Sequence, residues 1–298
     1  MTRAARRLLT VCAVVVLGVA CGQGSGGGNG GTAAQTPQAR GGRPVASPSP
    51  TSSVTPAGSV FVIVMENRTY AEAMDQPYTA SLASQFAVAT SYYAVSHPSL
   101  PNYLALTSGS MWGIKDDDYH SLPEGGIGHQ LTQQGVSWRA YMESMTAGCR
   151  DSPPPYAVKH NPFVYYGGAC PSNVVPLTAL DADLAGSTPR FVWITPNLCN
   201  DGHDCSSQVA DAFLRGLVPK ILASEAWRTG GVLFLTWDES ESGSDNRVPL
   251  IVASKDLTVH STSRRHDHYS LLATVEDRLG VPRLGAAQQA DPLGELLA

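Results

Sequence analysis

Val60-Phe61-Val62-Ile63-Val64-Met65-Glu66-Asn67 is a run of six apolar residues, four of them β-branched, that breaks off into a carboxylate and an amide. A run this short, apolar throughout and rich in branched side chains, reads as a strand buried on both faces of a parallel sheet. Two later stretches repeat the pattern. Phe191 to Thr195 runs into Asn200-Asp201-Gly202-His203-Asp204, and Val232 to Trp237 ends in Asp238-Glu239. In open α/β sheets, ligand groups gather beyond the carboxyl ends of the strands, where the loops of several strands converge. Three strands that end in groups able to hold a metal or a phosphate therefore predict one shared site.

Outward from these strands, the periodicity alternates. A helix is expected around Thr79 to Ala87, an extended segment at Ser91 to Val95, and a helix opened by Pro101. Gln208 to Ala223 is amphipathic, with Val209, Ala212, Phe213, Leu217 and Ile221 at helical spacing. Val248 to Ala253 reads as a further strand, and His268 to Leu279 as the last helix, stopped by Gly280 and Pro282. Strands alternating with helices predict an α/β fold with a largely parallel sheet between helical layers.

The first 56 of the 298 residues read differently. Arg3, Arg6 and Arg7 precede an apolar run from Leu8 to Ala20, too short to span a bilayer but suited to a secretory signal over 1–20. Gly18-Val19-Ala20-Cys21-Gly22 resembles a bacterial lipobox, with Gly18 where leucine is usual. Residues 21–56, rich in Gly, Ser, Thr and Pro, are then a flexible tether, lipidated at Cys21 or, if the protein is simply secreted, not. Both readings place residues 57–298, one large α/β domain, outside the cytoplasm. Five of the 20 basic residues precede this body, which leaves 15 against all 25 acidic ones, a formal charge of −10. That balance excludes a nucleic-acid partner, which needs a basic footprint. Cys149, Cys170, Cys199 and Cys205 remain, an even number in an oxidising compartment. Proximity favours Cys149 with Cys170 and Cys199 with Cys205, other pairings staying open; a zinc cluster lacks the C-x-x-C spacing it needs.

Ser96-His97-Pro98-Ser99-Leu100-Pro101-Asn102-Tyr103 carries the most chemistry, because Pro101 suits a first helical turn and sets Ser99 just before it. Unpaired N–H groups and the helix dipole there favour an alkoxide and a bound phosphate alike, and a metal could activate the serine. Taken alone, Ser99 is a plain helix N-cap, Asp238-Glu239 a solvated acidic loop, and His160 a surface histidine. His97, held before Pro98, orders the serine loop or touches substrate. His266, between Arg264, Arg265 and Asp267, reads as an exposed charged turn; His120, His129 and His260 carry no signal.

Met65-Glu66-Asn67, the segment His97 to Tyr103, Lys159-His160-Asn161-Pro162-Phe163, Asn200 to Asp204, Thr236-Trp237-Asp238-Glu239 and His268-Tyr269-Ser270-Leu271-Leu272 occur in this order. In that order they resemble the phosphoesterase family of bacterial acid phosphatases and phosphatidylcholine-type phospholipases C, over roughly Ser59 to Leu284. The resemblance implies an alkaline-phosphatase-like three-layer αβα sandwich and a metal-assisted hydroxyl nucleophile. It gives Glu66, Asn67, Asp238 and Glu239 to one divalent metal ion, and makes Ser99 the nucleophile. It gives Asn102 a phosphoryl oxygen, His203 and His268 the phosphate or the leaving group, and His160 phosphate contact, with His97 a second-tier candidate for substrate contact. Oxygen-rich ligands suit calcium, magnesium or manganese, with zinc also admitted. The substrate expected is a small phosphate ester or a phospholipid head group. Cleavage of choline phospholipids is the second enzymatic reading, although no long apolar surface segment accompanies it. A lipoprotein that captures phosphate ligands without turnover is the third, and the intact constellation argues against it.

Overall fold

The computed structural model describes residues 58–241 and 245–297. The expected signal at 1–20, the tether at 21–56 and Cys21 lie outside the described residues. Ten strands form among those described: β1 (Val60–Met65), β2 (Ala87–Ala89), β3 (Tyr92–Tyr93), β4 (Trp138–Met142), β5 (Val174–Pro176), β6 (Phe191–Thr195), β7 (Val232–Trp237), β8 (Leu250–Ser254), β9 (Ser261–Thr262) and β10 (His266–Asp267). The α-helices are α1 (Tyr70–Met74), α2 (Pro77–Gln85), α3 (Ser99–Ser108), α4 (Gly126–Gln133), α5 (Leu180–Ala185), α6 (Ser207–Ala223), α7 (Glu225–Arg228) and α8 (His268–Leu279). Eight strands make one sheet in the order β5-β4-β6-β1-β7-β8-β2-β9. Every pair in it is parallel except those of β8, which runs antiparallel to β7 and to β2. Helices flank this sheet, α3 packing on α4 and α8, and α6 on α2 and α5.

The apolar run that opens the chain's chemistry sits where its composition demands. All six residues of β1 are buried, with β6 on one side and β7 on the other. Because all three run the same way, their carboxyl ends reach one edge. Met65 lies directly opposite Trp237 in the register. The chain is stitched together just beyond, where Glu66 N–H donates to the Asp201 carbonyl and Asp238 N–H to that of Met65, both at 2.9 Å.

Several boundaries differ from those expected, each for a local reason. Helix α2 starts at Pro77, whose fixed φ suits a first turn. Helix α3 begins at Ser99, two residues before Pro101, so Ser99 lies in the first turn and Pro98 caps it. It ends at Gly109, with φ 66°, where a Cβ would stand 2.3 Å from the Leu284 carbonyl oxygen; only glycine fits. The inward face of α6 is Ala210, Asp211, Leu214, Leu217, Val218 and Ile221, while Val209 is exposed, a face turned from the one its periodicity indicated. Asp211 is the cause: it is buried, and its carboxylate accepts the backbone N–H groups of Tyr78 and Thr79 at the uncapped start of α2. His266 is buried on β10 and bonded to Glu295 at 2.7 Å, where an exposed turn was expected. Helix α8 runs over the residues expected and stops at Gly280, φ 72°. Disulfides join Cys149 to Cys170 and Cys199 to Cys205. Among the described residues no helix is long and apolar enough to cross a membrane.

Candidate active site

Glu66, at the end of the central strand, is the hub of a polar cluster set into this apolar core. It is wholly buried, as are Asp238 and Asp201, and Ser99 is nearly so. The Ser99 hydroxyl, carried on the first turn of α3, donates towards Glu66 Oε2 at 3.1 Å and towards Glu239 Oε1 at 3.3 Å. Tyr103, one turn further along α3, donates its phenol to Glu66 Oε1 at 2.5 Å. Asn67 adopts φ 52°, a left-handed conformation that asparagine tolerates better than most residues. This turns the chain so that its N–H reaches Asp238 Oδ1 at 3.3 Å. His97 holds the outer oxygen of Glu239 through Nδ1 at 2.5 Å.

On the other side of Glu66, His160 places Nε2 at 3.3 Å from Glu66 Oε1 and Nδ1 at 3.2 Å from Asp201 Oδ2. Neither contact has hydrogen-bond geometry. Both ring nitrogens, Asp201 Oδ2 and Asp238 Oδ2 are buried with no hydrogen-bond partner among the described residues. Buried polar atoms left this way are costly. Glu66, His160 and Asp201 each bring a ligand atom within 4.8 Å of the others. Burial raises the Glu66 carboxyl well above its ordinary range, and the charges of Asp238 and Asp201 add to the effect. Burial and Glu239 raise Asp238, and burial pushes Asp201 and Glu239 up to about 7. Burial also drives His160 well below its usual value, so it faces the carboxylates as a neutral imidazole. Crowded carboxylates, a neutral imidazole and orphaned lone pairs fit a divalent cation, which would supply the missing partners.

The remaining expected residues fall in two groups. His203 is partly exposed; its backbone N–H donates to Asp201 Oδ1 at 2.7 Å, and its ring lies between Asp204 and Lys159. With Asn67, Arg68, His97 and Glu239 it lines a cleft of about 660 Å³. Asn102 and His268 adjoin the cluster with their side chains already engaged. The Asn102 amide accepts the N–H groups of Val95 and Ser96 and donates to the carbonyls of Ser96 and Pro98, holding the serine loop rather than facing the cleft. His268 is buried between the Tyr92 hydroxyl, 2.8 Å from Nδ1, and the Asp238 carbonyl, 2.5 Å from Nε2; burial lowers its pKa to about 4. Five participants had no role of their own assigned from the sequence, Asp201 and four others. Tyr103, Asp117, Lys159 and Arg68 are ordinary residue types in their local stretches, and only pairing across the fold singles them out. Arg68 binds Ser207 Oγ and the Cys205 carbonyl, tying the end of β1 to the loop that carries His203. A larger and more apolar hollow of about 780 Å³, lined by Met145, Leu177, Phe213 and Leu217, is bordered by none of the clustered residues. Volume alone would choose it, but the clustered polar groups border the smaller cleft.

A model of the phosphoesterase family matches residues 63–282. The chain is 31% identical over 247 residues to a probable acid phosphatase of Kluyveromyces lactis, an alignment that takes in 76% of this chain and 59% of the yeast protein. It is 29% identical over 247 residues to a phosphatidylinositol-3-phosphatase of Mycobacterium tuberculosis, covering 80% of this chain and 82% of that one. Against the fungal relative, then, the chain spans about three-fifths of the length. A solved protein of the alkaline phosphatase superfamily from Vibrio parahaemolyticus superposes with a TM-score of 0.59 at 13% identity, over 80% of this chain and 71% of that one, a likeness of fold.

Proposed function

The chain belongs to the phosphoesterase family, and on that premise we propose that it is a metal-dependent phosphoric ester hydrolase. In this reading it is an exported, acid-phosphatase-like phosphomonoesterase whose nucleophile is Ser99. The observation that carries it is the setting of the Ser99 hydroxyl, buried at the start of a helix and hydrogen-bonded to Glu66 and Glu239 among partnerless carboxylate oxygens. Glu66, Asn67, Asp238 and Glu239 would hold the cation, with Asp201 and His160 as further donors beside Glu66. When bound, the cation supplies positive charge that eases loss of the serine proton and offsets charge on the phosphoryl oxygens.

The chain's own residues do the rest. Ser99 Oγ attacks phosphorus as the bond to the ester oxygen breaks, and its proton passes to Glu239. His203, partly exposed in the cleft, protonates the departing alcohol. Water then attacks the phosphoseryl group, releasing inorganic phosphate and restoring the hydroxyl. His97 orients Glu239, Asn102 fixes the serine loop, and His268 fixes Asp238 through its carbonyl. The substrate is a phosphate monoester, free or as a lipid head group.

Ser99→Ala is expected to abolish release of nitrophenol from a nitrophenyl phosphate while cation binding persists. Near-normal turnover in that variant would sink the nucleophile assignment. The parent protein, tested on a monoester, a diester and a phosphorylcholine ester before and after chelation, should favour the monoester and lose activity with its cation. Preference for phosphorylcholine would make it a phospholipase C instead.

A further inference from the structure

An anion already occupies the start of α3. Leu100, next to Ser99, donates its N–H to Asp117 Oδ1 at 3.0 Å. The other oxygen, Oδ2, accepts from Lys159 Nζ at 2.8 Å, and His203 Nε2 stands 3.2 Å from that same ammonium. The helix has no side-chain cap of its own, since Pro98 occupies the N-cap. Asp117 comes instead from a loop beyond the far end of the helix, 17 residues on. An amide at the positive end of a helix, a lysine and an imidazole are the groups a phosphoryl oxygen recruits. Here the amide and the lysine converge on a carboxylate beside the serine, and the imidazole stands behind the lysine.

We propose that Asp117 is a specificity-determining residue: its carboxylate holds the anion position at the start of α3, and a substrate phosphoryl group must displace it. The proposal rests on the phosphoesterase reading of the same site. The Asp117 side chain is 30% exposed, so it has room to swing towards solvent. It does not withdraw far. Tyr119 two residues on is anchored, its ring 5.1 Å from that of Tyr165 and the Arg150 guanidinium 4.0 Å above it. The displaced charge therefore stays beside the bound phosphoryl group and repels a dianion more than a monoanion. A monoester near neutrality carries close to two charges and a diester one. Asp117 thus weakens retention of inorganic phosphate, the dianionic product, and narrows the margin by which monoesters are preferred.

The test is direct calorimetric binding of inorganic phosphate, with magnesium or calcium in excess, to the parent and to Asp117→Asn, Asp117→Ser and Asp117→Glu. The first two keep an acceptor for Leu100 N–H and lose the charge. They should bind phosphate about ten-fold more tightly and lower KM for a monoester to match, with kcat within about three-fold and a smaller gain for a diester. Asp117→Glu should bind no tighter than the parent. Unchanged or weaker phosphate binding in both neutral variants would overturn the proposal and leave Asp117 as a remote helix cap and lysine anchor. Phosphate binding is read without turnover, so a parent that hydrolyses no ester would defeat the hydrolase reading while leaving this measurement interpretable.

Discussion

Tyr103 fixes two donors at once, its phenol on Glu66 Oε1 and its ring stacked on His160 at 5.3 Å between centroids and 13° between planes. Tyr103→Phe keeps the stacking and removes the hydrogen bond that orients Glu66. It should weaken cation binding about ten-fold, the scale seen when such outer partners of a ligand are lost, with little change in melting temperature; titration calorimetry with the cation checks it. It closes the segment His97 to Tyr103, yet no role followed from that place, because an aromatic inside an apolar helix is ordinary core. Asp117 is equally hidden, one of three consecutive aspartates. Glu66, Ser99, Asp238 and Glu239 were legible for the opposite reason, each being a polar group set abruptly at the end of a buried strand or the start of a helix. For Asn102 and His268 the residue type was legible but not its use. Whether an amide faces a cleft or closes the loop beside it depends on the path of the backbone.

Helix α8 shows what an element can carry besides its cap. Glu276 on its inner side is wholly buried. One oxygen accepts the Leu284 N–H at 2.9 Å, and the other lacks a partner among the described residues. Burial raises its pKa from 4.5 to about 8. Between those values the folded chain keeps a proton that the unfolded chain has lost, so stability falls as pH rises through the window, by at most about 1.4 kcal/mol per pH unit. Glu276→Gln keeps the acceptor and removes the titration. Its stability relative to the parent should climb from pH 5 to pH 8 and then level off, as urea unfolding at several pH values would record. A gap independent of pH would refute the assignment. Elements whose signals are local were legible in advance: β1, β6 and β7 from their apolar runs, and α8 from its periodicity and from Gly280 and Pro282 at its end. The two-residue strands β9 and β10 were not, since they exist only by pairing with β2 and β3, more than 160 positions away. The face of α6 was misjudged because Asp211 turns inward to serve another helix.

At the scale of the whole molecule, the parallel course of β1, β6 and β7 gathers one candidate site from segments as much as 171 residues apart, which is why alternation of strands and helices was enough to foresee the edge on which these groups gather. Asp201 and His203 hang from the loop closed by Cys199 and Cys205, six residues apart. Reduction with dithiothreitol should lower turnover and cation affinity together, reversibly on reoxidation, while far-UV circular dichroism keeps the signature of the sheet; full activity in the reduced protein would contradict this. A freshly synthesised chain with free thiols would thus own every reactive group yet leave two of them on a slack tether. On the proposed reading, competence would follow an encounter with an oxidant, and the cystine would serve as a maturation clock that keeps the site quiet while its thiols are free.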